Sequence, residues 1–178
     1  RVPDGAHSAM LKAIRSDATP HLVVMQYTPK WHVINLVLVP RFFLTETVIQ
    51  ARRPTLPKGR SAPWIGCDIM LRDIVEDGKI RLVTNALARS AADVRADFNR
   101  VRRLASVPPA VRGWTLDVLA AVRDLRQARF TLSEVYAFED RLSRLHPQNR
   151  NVRPKIRQQL QVLRDVGLIR FAGRGQYE

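Results

Sequence analysis

Two glutamines, Gln158 and Gln161, stand three residues apart in the stretch from Asn151 to Gly167, with Lys155 and Arg157 beside them and Arg153 just ahead. A primary amide carries a donor and an acceptor side by side. That pairing matches the N7 acceptor and N6–H donor that adenine displays in the major groove. The cations suit phosphate oxygens, which position a protein on a duplex without reading its sequence. Ile156, Leu160 and Leu163 recur at helical spacing, so the same stretch predicts a helix with an apolar stripe behind an adenine-reading face. A solvated polar face with no partner would use the same residue types, since Gln and Arg are good helix formers.

Such a helix needs a frame. Pro154 sits where a first-turn proline is tolerated, and Gly167 is placed as a left-handed C-cap. Gly113 to Leu125 shows Trp114, Val118, Val122 and Leu125 on one face, which predicts a helix. Thr131 and Glu134 form a capping box that opens a second helix running to about Leu145, with Val135, Phe138 and Leu142 inward. His146 and Pro147 stop it. After Gly167, the Ala172–Gly175 turn joins two short strands, with Arg174 between two glycines. An arginine on such a turn reaches a narrow groove or a phosphate. Three helices and a terminal β-ribbon make a winged helix-turn-helix.

The chain has 178 residues, 46% of them apolar, and 30 Lys and Arg against 16 Asp and Glu, a net charge of +14. Nucleic acid is the first partner this implies; an arginine-rich proteome is the plainer explanation. Residues 1–105 hold 17 basic and 9 acidic residues, and residues 106–178 hold 13 and 7, so both halves are suited to one polyanion. The prolines at 108 and 109 place a domain boundary after residue 105. No apolar run reaches membrane-spanning length and there is no signal-peptide pattern, so a cytoplasmic, DNA-associated protein with no membrane partner is expected. The chain opens on Arg1 rather than Met, and a first helix over Ala6–Arg15 reads as already under way, so a preceding segment is expected.

The first half alternates strands and helices. His21–Tyr27 reads as a buried strand and, with Val33–Val39, as a central hairpin. Gln50–Arg60 holds two prolines, a glycine and four cations (Arg52, Arg53, Lys58 and Arg60), an exposed basic loop suited to DNA phosphates. Trp64 follows directly: it is either a core residue opening a strand over Trp64–Ile69 or an indole set to meet a base face or a base methyl. Trp31 and Trp114 read as packing. Asp77-Gly78 signals a hairpin turn before a strand over Gly78–Val83, and Ala91–Leu104 reads as a helix with Val94, Phe98, Val101 and Leu104 inward. Pro3-Asp4 and Asp77-Gly78-Lys79 mimic the two halves of a metal-dependent nuclease motif, but more than seventy residues separate them, so they are set aside. The four histidines lack ligand spacing, and the single cysteine, Cys67, reads as a small buried residue.

Taken together, Val2–Ala6, the strands through Val39-Pro40, Pro63–Cys67, Arg112–Thr115, Phe130–Leu132, Lys155–Asp165 and Gly173–Gly175 resemble the DpnI and Dam-replacing family over essentially the whole chain, the Lys155–Asp165 stretch most specifically. The resemblance implies a methyl-directed type II restriction endonuclease that cuts GATC sites carrying N6-methyladenine. It implies a magnesium-dependent PD-(D/E)xK nuclease domain, with a structural zinc site, joined to a C-terminal winged helix. It also implies that Trp64 is the tryptophan that approaches the methyl groups. The family's catalytic acids, its lysine and its four zinc cysteines lie upstream of the residue matching Arg1. No catalytic or metal-binding residue is therefore assigned here.

The expected fold is α+β: over residues 1–105 the second part of a nuclease domain, over residues 106–178 a winged helix. The expected partner is double-stranded methylated DNA, bound by a monomer. Methylation leaves adenine one N–H and adds an apolar group, so a reader needs an acceptor, a donor to N7 and apolar surface. Gln158 or Gln161 supplies the first two, and Trp64 or Val152 the third. The alternative is a non-enzymatic winged-helix DNA-binding protein resembling a transcription regulator.

Overall fold

A computed structural model describes residues 2–53 and 65–178, residues 2–4 by their backbone only. The chain divides into two compact units, Arg1–Asp97 and Phe98–Glu178. The division falls inside a helix rather than at the prolines. Val101 and Leu104 are fully buried, and the buried Arg112 guanidinium donates to the Val107 carbonyl at 2.7 and 3.0 Å. The segment before the prolines is thereby tied into the second unit.

In the first unit the chain runs β1 (Val2–Ala6), α1 (His7–Arg15), β2 (Leu22–Tyr27), β3 (Val33–Val39), β4 (Ile49–Ala51), β5 (Gly66–Ile69), β6 (Ile80–Thr84), β7 (Leu87–Ala88) and α2 (Ala91–Val101). The helix expected over Ala6–Arg15 is present as α1, and the strand β1 precedes it. Two antiparallel sheets form, in the orders β1-β5-β4 and β2-β3-β6-β7. Phe43, Ile69, Ile80, Val39 and Cys67 lie in the core, none more than 2% exposed.

The β2–β3 hairpin exists, but β2 lies at the sheet edge and is not buried: Val23, Met25 and Tyr27 are 56%, 50% and 47% exposed. Trp31 is not packing either. It is 75% exposed at the hairpin turn, adopts a left-handed backbone (φ 63°) and stacks on Tyr27, 4.9 Å away. A β-branched apolar run marks a strand without saying whether a neighbour covers it. Asp77-Gly78 makes a 3-10 turn over Glu76–Gly78, not a hairpin, because β5 and β6 belong to different sheets. Gly78 is required there by close approach: a Cβ would sit 2.5 Å from the Phe43 ring.

In the second unit α3 (Pro109–Asp124) starts four residues earlier than periodicity suggested, with Pro108 as N-cap and Pro109 at the first helical position. The prolines begin the helix instead of merely spacing it. Then follow β8 (Phe130–Thr131), α4 (Leu132–Tyr136), α5 (Glu139–Leu145), α6 (Val152–Asp165), β9 (Phe171–Gly173) and β10 (Gln176–Tyr177). The single helix expected to reach Leu145 is two helices broken at Ala137–Phe138. The ribbon has three strands, in the order β8-β10-β9, because Phe130-Thr131 joins it.

The local signals explain these boundaries. Thr131 and Glu134 close the reciprocal capping box at α4. At the end of α6, Gly167 (φ 80°) donates to Arg164 at 2.9 Å and Leu168 donates to Leu163 at 2.9 Å, a Schellman pair that needs the left-handed glycine. Trp114, Val118, Leu119, Val135, Leu142, Ile156, Leu160 and Leu163 fill the core of this unit.

Candidate nucleic-acid interface

The apolar side of α6 is set by Val152, Ile156, Leu160 and Leu163, all buried, three of them completely. Holding these inward leaves Arg157, Gln158 and Gln161 exposed on one side, since positions three and four apart are helical neighbours. Neither Gln158 nor Gln161 is packed into the fold. Lys155 is half-buried and its Nζ donates to Gln158 Oε1 at 2.9 Å. The side chain of Gln161 makes no hydrogen bond among the described residues.

Arg153 is exposed but engaged. Its Nε lies 2.7 Å from Glu139 Oε2, and its guanidinium stands 5.2 Å over the Tyr136 ring. The helix start is therefore tied to α4 and α5. Val152, a candidate surface for the methyl group, is only 7% exposed and does not lie on the open face. The first turn packs downward, which spacing from Ile156 already implies.

One residue was missed. Gln159 is fully buried and accepts the Thr115 hydroxyl of α3 at 2.7 Å, while its own amide nitrogen lies 3.4 Å from Gln158 Oε1. Its spacing from Val152, Ile156 and Leu163 placed it on the inner stripe, but its polarity hid it among its exposed neighbours.

Arg174 is exposed between β9 and β10, flanked by Gly173 (φ 146°) and Gly175 (φ 66°). Leu132 donates its backbone N–H to the Gly175 carbonyl at 3.0 Å, so the turn is anchored to the first residue of α4. Phe130 and Tyr177, paired across β8 and β10, stack with ring centres 5.4 Å apart.

The first-unit candidates divide. The Arg52 Nε lies 2.9 Å from Asp68 Oδ1, a carboxylate that is buried in β5, so this cation is committed to a partner within the fold. Arg53 is exposed. Lys58, Arg60 and Trp64 lie outside the described residues.

The magnesium and zinc implied for the family have no ligand set among the described residues. Cys67 is the only cysteine and is fully buried, and among the described residues no group of three or more His, Cys, Asp and Glu could hold an ion. No step is assigned to magnesium or zinc in this chain. Among the same residues no helix is long and apolar enough to cross a membrane.

A unit of helices α3 to α6 with a ribboned wing, an open polar face on its last helix and an arginine at the wing turn defines a helix-turn-helix DNA-binding domain. The family model described as the Dam-replacing HTH domain matches residues 110–178, and the one described as the Dam-replacing family, DpnI, matches residues 1–107. The chain belongs to the DpnI, or Dam-replacing, family: a DNA-binding protein of a restriction-modification system, with a mixed α/β domain followed by a helix-turn-helix domain.

Proposed function

We propose that this chain reads double-stranded GATC sites whose adenine carries an N6-methyl group, as the DNA-recognising part of a methyl-directed type II restriction endonuclease. The observation that carries the reading is the open face of α6, where the Gln158 and Gln161 amides stand exposed beside Arg157 while Ile156, Leu160 and Leu163 anchor the helix. Phosphate contacts fall to Arg157, Arg153 and the wing's Arg174, with Arg53 as a further candidate in the first unit. Arg52, Lys58 and Arg60 remain part of the proposed basic surface, Arg52 only so far as its bond to Asp68 allows.

The methyl group sets a limit on discrimination. Burying one methyl contributes on the order of 0.8 kcal/mol, a few-fold preference. Strong selection therefore needs the methyl groups of both strands or a clash against the bare base. With Val152 turned inward, the apolar surface falls to Trp64.

The test is fluorescence anisotropy of the chain on methylated, unmethylated and scrambled duplexes at one salt concentration. Methylated GATC is expected to bind tightest, and Gln158→Ala with Gln161→Ala to weaken it far more than scrambled DNA. Equal affinity for all three duplexes would refute the reading. No magnesium-dependent cleavage by this chain is expected, and clean cutting at GATC would show that its carboxylates were wrongly set aside.

A further inference from the structure

The side chains of Lys155, Gln158, Gln159 and Thr115 form a connected series whose polarity is set from its Lys155 end. An ammonium carries only donors, so the Gln158 atom 2.9 Å from Lys155 Nζ is the amide oxygen. The Gln159 atom 3.4 Å from that same oxygen is then the amide nitrogen. The remaining Gln159 oxygen lies 2.7 Å from the Thr115 hydroxyl, whose single proton goes to this nearer acceptor rather than to the Val111 carbonyl at 3.1 Å, deep between α3 and α6 where both side chains are fully buried. Reversing the Gln158 amide would set its NH2 against the ammonium. Reversing the Gln159 amide would bring its oxygen against the Gln158 oxygen.

Gln158 and Gln161 are therefore not equivalent. The carbonyl of Gln158 is occupied from two sides, and the group it offers outward is its NH2. Lys155 keeps two further protons beside it. Gln161 keeps both its donor and its acceptor. Resting on the GATC reading, we propose that Lys155 and Gln158 form a donor pair that reads the N7 and O6 acceptors of guanine, leaving Gln161 to read the adjacent adenine. Adenine presents one acceptor and one donor in the major groove, which a pair of donors cannot satisfy. Gln159 and Thr115 are positioning residues in this arrangement: they touch no base and act by keeping the Gln158 amide in one orientation.

The experiment replaces the guanine of a methylated GATC duplex by 2,6-diaminopurine paired with thymine. Within the purine this exchanges O6 for an amino group and keeps N7 and the minor-groove amine; the paired cytosine becomes thymine in the same step, so a duplex with 7-deazaguanine opposite the original cytosine, which removes N7 alone and is expected to weaken binding likewise, is measured beside it. The chain is expected to bind the altered duplex about tenfold more weakly. Gln158→Glu, a change on the exposed helix face, is expected to bind both duplexes within about twofold of each other, because the new carboxylate pairs with Lys155 and offers no donor. Gln159→Met is expected to narrow the guanine preference while affinity for scrambled DNA stays the same; a purely structural role would lower both together. A wild-type ratio near one, or an undiminished ratio in Gln158→Glu, overturns the proposal. Methyl preference is scored separately on the unaltered duplexes, so it can survive when the guanine assignment fails. Loss of all GATC preference overturns both.

Discussion

His146 Nε2 lies 2.7 Å from Asp117 Oδ2 while its ring stacks at 3.9 Å on Trp114, so the residue that ends α5 is clamped to two positions one turn apart on α3. Both partners of the polar contact are mostly shielded from solvent. The clamp fixes the helix pair that frames α6. His146→Ala is expected to lower the stability of the second unit by about 1–3 kcal/mol, from a lost hydrogen bond and a lost ring contact. A double-mutant cycle with Asp117→Ala in denaturant unfolding should show clear coupling; additive effects would remove the clamp from the account.

Arg153 is held by Glu139, and the two interactions a cation can make there compete. Freeing it by Glu139→Gln is expected to raise affinity modestly for every duplex, irrespective of methylation, with a steeper salt dependence of binding. Arg153→Ala should do the reverse. Each phosphate contact changes the slope of log affinity against log salt by about 0.9. Anisotropy titrations at several salt concentrations measure this directly, and an unchanged slope in Arg153→Ala would take the residue off the phosphate list.

Arg52 has a structural task that its place in a basic loop does not announce. Removing it takes a charged partner from the buried Asp68 carboxylate, so Arg52→Ala should destabilise the first unit by about 1–3 kcal/mol, the partly exposed guanidinium keeping the loss below that of a fully buried pair. Adding Asp68→Asn should recover part of it. Arg53→Ala, at an exposed position, should leave thermal unfolding unchanged while weakening DNA binding.

Three carboxylates lie below the usual glutamate range: Glu134 through hydrogen bonds from the Thr131 backbone and hydroxyl, Glu46 through the Arg15 guanidinium, and Glu76 through Lys79. A depressed carboxylate contributes stability that is complete above its unfolded value near 4.5 and is lost as pH falls through the folded value. Unfolding midpoints should therefore be flat above about pH 5.5 and decline below about pH 4.5. Glu134→Gln keeps an N3 acceptor for the cap but does not titrate there, so its acid limb should be shallower. An acid limb as steep as the wild type would assign the decline to other groups.

The legibility of this chain follows from the range of its interactions. Helix α6 was readable because Ile156, Leu160 and Leu163 are periodic, Pro154 and Gly167 mark its ends, and each signal acts within a few residues. The wing turn was readable from its two glycines. Less local features escaped. Two strands of the first unit, β1 and β4, are short and defined by pairing with β5, and Phe130-Thr131 became a strand only through β10. The break between α4 and α5 carries no proline or glycine to announce it.

By itself the sequence determined where α6 and its caps lie, which of its sides is apolar, and the excess of cations that points to a polyanion, because periodicity, capping and charge are written in neighbouring residues. The tertiary structure alone decided that Gln159 is interior and bonded to Thr115, that Arg153 and Arg52 are held by Glu139 and Asp68, and that Trp31 stands outside the core. Those partners lie between 14 and 44 residues away along the chain, and only folding brings their atoms within hydrogen-bonding distance.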